Sequence, residues 1–265
     1  MEVKVGYSEL ILLDHPVEEN VARLAEAGAD SIELMMDASG WDSLGADYIP
    51  LADRLRATGI TFTVHPAAWD VNLTTEMYIL REAAYRHHQQ ALEFSARLGA
   101  EQMVLHPGYS TFNKDRARDL AHRAVCDLAQ QAKASGVRLA FENIAAPAAA
   151  LYTQEMFCHA LDEVDSSVGY LLDIGHANMN GWNIPEVIRT LSNRLLGMHL
   201  HDNHGTGDEH LPIGQGSIQW EPIWAAAAEI DTEVCHWILE YAPGTPLRWL
   251  TQTRENIRRD MKRYR

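Results

Sequence analysis

Ala96–His106 reads ARLGAEQMVLH: the end of an amphipathic helix, a turn at Gly99, the apolar run Met103–Leu105, and a histidine where the run stops. An apolar run without alternation has no polar side to turn to water, so it predicts a short strand covered on both faces, as in a parallel sheet. The same phrase recurs. LAEAGADSIE ends at Glu33, LRATGITFTVH at His65, AKASGVRLAFE at Glu142 and DSSVGYLLD at Asp173. NRLLGMHLH carries His199 and His201, and IDTEVCHWILE ends at Glu240. With the opening VKVGYSE this predicts eight strands, each followed by helical periodicity. Successive strands lie about 26 to 41 residues apart, which suits βα units of roughly 30 residues. The expected fold is α/β, a single (β/α)8 barrel forming one domain over residues 1–265.

In such a barrel the active site lies at the C-terminal ends of the strands. Here the runs stop at Glu33, His65, His106, Glu142, Asp173, His199 and Glu240, so seven ionisable groups are expected at one mouth. One polar residue at a strand end is ordinary; seven together point to chemistry. The densest stretch is Gly197–Gly216, GMHLHDNHGTGDEHLPIGQG, with His199, His201, His204, His210, Asp202 and Asp208. Met198 and Leu200 alternate with His199 and His201, so a strand here sends both imidazoles to one face. Imidazole and carboxylate at this density are the ligands of a divalent cation. DIGHANMNGW places His176 just past Asp173, and PAAWDVNLTTE supplies Trp69 as a flat wall for a small ring. His87, His88 and His159 fall in helical runs and read as solvated or half-buried. Trp220, Trp224, Trp237 and Trp249 read as packing residues. The basic terminal segment RENIRRDMKRYR reads as a solvated helix face, and GQG at 214–216 as a turn more readily than a phosphate cradle.

The formal net charge is −15, from 37 acidic and 22 basic residues, which argues against a nucleic-acid partner. Carboxylates gathered around cations would count in that sum yet be neutralised in the folded site. The longest small-residue run, AAPAAALY at 145–152, is interrupted by Pro147 and is far short of the roughly 18 apolar residues of a membrane span. No apolar signal core opens the sequence, and Cys126, Cys158 and Cys235 lie too far apart for ligand spacing. They read as reduced and buried, so a cytoplasmic protein is expected.

Taken together, SIEL, HPAAWDVNL, VLHPG, AFEN, LDIGH, MHLHDN, DEH, PIGQG and ILEY resemble the xylose-isomerase-like TIM-barrel superfamily over essentially the whole chain. That superfamily contains sugar isomerases and epimerases, related dehydratases and endonuclease IV. In its epimerase branch one metal is held by two glutamates, an aspartate and a histidine, which match Glu142, Glu240, Asp173 and His199. In endonuclease IV the site is trinuclear, and its further ligands match His65, His106, His176, Asp208 and His210. Two features lean to the sugar branch: SIELMMDASGWDS lacks the basic and aromatic residues that grip DNA, and few Arg or Lys residues fall near the mouth. One departs from it, since no arginine follows MHLHDN.

The resemblance therefore implies a metal-dependent isomerase or epimerase of a sugar or keto-polyol, working through an enediolate. Glu142 and Glu240 would be acid and base, His176 and His201 would hold substrate oxygens, and Trp69 would cover the ring. The cofactor implied is a divalent cation, Zn2+ or Mn2+ ahead of Co2+ or Mg2+. The alternatives are a trinuclear zinc phosphodiesterase on abasic DNA and a dehydratase of a keto-polyol. The implied partner is a small carbohydrate, and the resemblance allows a homo-oligomer.

Overall fold

The computed structural model of the chain describes residues 3–45, 47–230 and 235–264. Its strands are β1 (Val5–Ser8), β2 (Ile32–Met35), β3 (Phe62–His65), β4 (Gln102–Leu105), β5 (Arg138–Glu142), β6 (Val168–Asp173), β7 (Leu195–Leu200) and β8 (His236–Leu239). Each pairs in parallel with the next and β8 closes on β1, so the expected (β/α)8 barrel is the fold. Residues 231–234, which the sequence reading placed in the approach to the last strand, lie outside the described residues.

Outside the barrel run α1 (Val17–Glu26), α2 (Ala38–Asp42), α3 (Ile49–Arg56), α4 (Tyr78–Leu98), α5 (Lys114–Ser135), α6 (Gln154–Cys158), α7 (Ile174–Met179), α8 (Ile184–Leu191), α9 (Trp220–Ala227) and α10 (Arg248–Met261). The turn at Gly99 is required by its backbone: φ is 78°, a left-handed helix end that glycine adopts without a Cβ penalty.

The apolar runs divide between two layers because side chains alternate along a strand. In β4, Met103 and Leu105 join the large core between strands and helices, while Val104 meets Ala140, Leu171 and Leu196 in a small plug. Burying each large apolar side chain is worth about 1.5–3 kcal/mol, so the outer layer carries most of the stability. The inner layer above the plug is left to polar groups.

One irregularity matters for the site. Tyr170 pairs with Leu195 but Leu171 pairs with Gly197, so Leu196 is an extra residue in β7. The bulge resets the alternation, and from Gly197 onward the odd-numbered residues face the barrel interior. Met198 and Leu200 accordingly join the outer core, as the alternation predicted.

Three sequence expectations are corrected. His88 is buried and not solvated: it shares an inner helix face with Ala84, Ala91 and Leu92, and its ring bonds the Ala84 carbonyl at 2.9 Å. Burial pushes its pKa down to about 3, so it is a neutral core residue. Cys126 and Cys158 are only half-buried, while Cys235 is buried. The C-terminal helix is not wholly a solvated face, because Leu250, Thr253, Ile257 and Met261 turn inward and Arg258 pairs with Asp30 at 2.8 Å. His87 sits half-buried on α4, His159 is exposed at the residue that caps α6, and Trp220, Trp224 and Trp237 are in the core.

Candidate metal centre

The centre of the mouth is the His199 ring, carried inward by β7. Its Nδ1 lies 3.0 Å from Glu142 Oε1, 3.4 Å from Glu240 Oε2 and 3.8 Å from Asp173 Oδ2. One ring nitrogen carries at most one proton and can satisfy only one of three converging carboxylates. All four side chains are buried, and burying that much like charge is costly unless a cation is shared among them. Three oxygens and one imidazole nitrogen form a donor set suited to a divalent cation of the zinc or manganese kind. These are the four residues the epimerase branch implied.

Two further groups flank this centre. On one side His106 Nε2 and His65 Nε2 lie 2.8 and 3.6 Å from the same oxygen, Glu142 Oε2. On the other, His176 Nε2 and His210 Nε2 each lie 3.2 Å from Asp208 Oδ2. His65 and His210 place Nδ1 on the carbonyls of Pro66 and Glu240, at 2.7 and 3.0 Å. A carbonyl only accepts, so each Nδ1 keeps a proton and each Nε2 faces the mouth, where loss of its own proton would free a lone pair for a cation. His210 is held at φ 46°, a left-handed conformation unusual outside glycine. The fold thus brings together all nine of the residues singled out from the sequence.

Glu33 is placed differently from expectation. It is not at a strand end: it pairs with Thr63, while Met35 pairs with His65, so it sits one layer lower. From there its Oε1 lies 2.9 Å beneath His199 Nε2, and its Oε2 accepts from Thr63 Oγ1 at 3.1 Å. It steadies the ring from below.

His201 also lies below the cavity. It is fully buried, its Nε2 is 3.0 Å from Asp173 Oδ2, and its ring stacks on His210 at 4.0 Å. The space for it comes from Gly175, where a Cβ would land 2.0 Å from the His201 ring. Gly175→Ala should therefore cost about 1–3 kcal/mol by overpacking and free Asp173 from its imidazole. A lower melting temperature together with weaker cation retention is expected. Unchanged values of both would show that the ring is not fixed by this contact.

Two supports were not read from the sequence. Asn143, beside Glu142, bonds the Asp173 backbone twice, Nδ2 to its carbonyl at 2.9 Å and its amide to Oδ1 at 2.8 Å. The signal was the Asn of AFEN, which follows the strand-end acid. Asp202 is fully buried and accepts from the backbone N–H groups of Asn203, Gly214 and Ile218 and from Trp220 Nε1, at 2.8–3.1 Å. It ties down the loop bearing Asp208 and His210. In the GQG turn the Gly214 N–H donates to this carboxylate and the Gln215 N–H to the Pro212 carbonyl, so neither is turned to an external phosphate.

Above these groups opens a cavity of about 460 Å3. Leu10, Met35, Trp69, Tyr109 and Pro243 give it an apolar side, and Glu142, Asp208, Glu209 and Glu240 an acidic one. Among the described lining residues there is no Lys or Arg. The electrostatics follow. Burial alone would depress the imidazoles, but the carboxylates prevail and raise His65 and His210 to about 9, His176 to about 10, and His199 well above the ordinary value. At His106 burial prevails and lowers it. Glu142 is held well below the carboxylate range by His199 and His106 despite its burial. The mouth draws positive charge, as protons or as a cation.

Comparisons with known proteins agree with this fold. The family model described as a xylose isomerase-like TIM barrel matches residues 21–265. An uncharacterized protein of Methanocaldococcus jannaschii is 28% identical over 82% of this chain and 85% of its own length. A probable endonuclease 4 of Mycobacterium leprae is 26% identical over 75% of this chain and 81% of its own. The crystal structure of a D-tagatose 3-epimerase-like protein superposes with a TM-score of 0.84 at 23% identity, covering 98% of each chain. The IolI protein crystallised with a zinc atom superposes with a TM-score of 0.76 at 18% identity, covering 98% of this chain and 96% of that one. No helix among the described residues is long and apolar enough to cross a membrane. With the family model matched over most of its length, the chain belongs to the xylose isomerase-like TIM barrel family.

Proposed function

We propose that the protein is a divalent-metal-dependent isomerase or epimerase of an unphosphorylated sugar or keto-polyol. The observation that carries this reading is the convergence of Glu142, Asp173 and Glu240 on His199 Nδ1, at the mouth of a cavity with one apolar and one acidic side. The four residues would hold the cation, which when bound supplies a Lewis acid for the substrate's carbonyl. The zinc in the IolI structure and the epimerase-like neighbour are consistent with such a site.

The rest is work for this chain's own side chains. Glu142 ends β5 and Glu240 follows β8, three strands further round the barrel, and both reach the same His199 Nδ1. One carboxylate removes the proton next to the carbonyl, leaving an enediolate on the substrate, and the other returns a proton from the opposite face. His176 would hold a substrate oxygen. Trp69, with Leu10 and Met35, offers a surface for the C–H face of the sugar. His201 acts through Asp173, as a positioning residue. A phosphate dianion would meet Glu142, Asp208, Glu209 and Glu240 with no described Lys or Arg on the cavity wall, so the substrate is uncharged.

A second reading has its own observation: the flanking groups His65–His106–Glu142 and His176–Asp208–His210 complete the set for three cations and for phosphodiester cleavage. The acidic mouth disfavours a DNA backbone, which places this reading second. The same enediolate could also expel a β-hydroxyl, the dehydratase outcome. The test is incubation of metal-loaded protein with unphosphorylated ketoses in deuterated water. Solvent deuterium at the carbon beside the carbonyl is the expected result. Absence of label across the panel, with cleavage of an abasic-site duplex, would replace this reading by the second.

A further inference from the structure

Trp69 forms part of the cavity wall, yet its side chain is 56% exposed, so packing alone does not fix it. Its place depends on the backbone that carries it. Pro66 brings no N–H group, so the first amides past β3 are those of Ala67 and Ala68. Among the described residues neither amide meets a backbone carbonyl. Two side chains from other elements take them instead. Ala67 N–H donates to His87 Nε2, on α4, at 2.9 Å, and Ala68 N–H donates to Asp37 Oδ2, just past β2, at 2.7 Å. The Pro66–Ala67 peptide is thus gripped at both ends, because its carbonyl also accepts from His65 Nδ1 at 2.7 Å.

Asp37 departs from local preference to make this contact. It stands at the N-cap of α2, where an aspartate ordinarily accepts from its own helix, but its carboxylate caps nothing there. The next residue, Ala38, is held at φ 65°, a left-handed conformation unfavourable to any residue with a Cβ. Two successive departures of this kind mark a side chain used elsewhere in the fold. At His87, burial holds the imidazole below its ordinary pKa, so the ring is neutral and its Nε2 can accept. Ala68 packs with Leu10, Leu13 and Met35, which joins the bonded segment to the apolar side of the cavity. We propose that Asp37 and His87 are positioning residues: they hold residues 66–69 so that the Trp69 indole stands as a fixed wall, setting the width of the slot a sugar ring enters. Such a wall is in place before substrate arrives, so no binding energy is spent on ordering it. The slot rests on the sugar reading of the site; the hold on Trp69 does not.

The test that needs no substrate is 19F NMR of the full chain labelled with 5-fluorotryptophan. The 7 tryptophans give one line each, and Trp69→Phe assigns the line of interest. That line should be single and sharp in the wild type, and shifted or broadened in His87→Phe and in Asp37→Ala, which remove the two acceptors separately. His87→Gln, whose amide oxygen can stand where Nε2 stood, should restore it. Cation content per chain should match the wild type in all three, since neither residue is a proposed ligand. A line that stays put in the folded variants overturns the proposal, and one that Gln fails to restore overturns it in favour of packing by the ring. Should His87→Phe not fold, Asp37→Ala carries the same test. With whichever unphosphorylated ketose takes solvent deuterium, KM in His87→Phe should rise about tenfold, the worth of one lost hydrogen bond, and kcat should change less. An unchanged KM beside a moved line overturns the slot. If no ketose takes label, the sugar reading falls, and the fluorine line still decides whether Asp37 and His87 hold Trp69.

Discussion

Metal-loaded Glu240→Gln protein is expected to lose solvent-deuterium exchange into the substrate by about 10²–10⁴-fold, the range general acid–base groups contribute. Glu240 stands 3.4 Å from His199 Nδ1 and 3.6 Å from His210 Nδ1, and it lines the cavity together with Glu142. Glutamine keeps the shape of the side chain but cannot accept and return a proton. Because the same carboxylate is one of the proposed cation ligands, the cation content must be measured in the same sample. Loss of exchange with the cation retained assigns the proton-transfer role, and exchange at the wild-type rate would remove Glu240 from the mechanism.

The metal-free protein should lose stability as the pH rises from about 6.5 to 10. His65, His176 and His210 have folded pKa values of about 9, about 10 and about 9, against about 6.5 in the unfolded chain. Between those values the native state holds protons that the unfolded state has released, so the unfolding free energy falls as the pH rises. The stabilisation is fully present below 6.5 and is lost on passing 9 to 10. The carboxylates have the opposite sign. Glu142, Asp173 and Asp208 are held low, so their contribution is present near neutrality and lost in acid. The three imidazoles share their carboxylates and their effects do not add, so a combined loss of a few kcal/mol, roughly 10 °C in Tm, is expected. A bound cation takes the place of those protons, and melting of the loaded protein should vary much less over the same range. A metal-free protein whose Tm stays flat from pH 6.5 to 10 would contradict the assignment of these imidazoles as protonated partners of the carboxylates.

Most of the barrel and most of the mouth were legible in the sequence for one physical reason. A strand buried on both faces is apolar over most of its length, so His65, Glu142 and Asp173 announced themselves by ending apolar runs. What stayed hidden depended on quantities that a single strand does not carry. Glu33 interrupts its run in the same way, but its depth is set by the register of β2 on β3. His87 and His88 differ by one step of helix phase, which left one half-buried and placed the other in the core. The partners of Asp202 arrive up to 18 residues later, at Trp220, and only the folded loop brings them to one carboxylate. His199 and His201 were given one face correctly, although which face depended on the extra residue at Leu196.

The most direct measurement is elemental analysis of the purified protein, with no cation added, beside its His199→Ala variant. About one tightly held divalent cation per chain, lost in the variant, is the predicted result. No cation in the wild type after reconstitution would contradict a metal centre at Glu142, Asp173, His199 and Glu240, and near three zinc ions per chain would contradict the sugar reading in favour of phosphodiester chemistry.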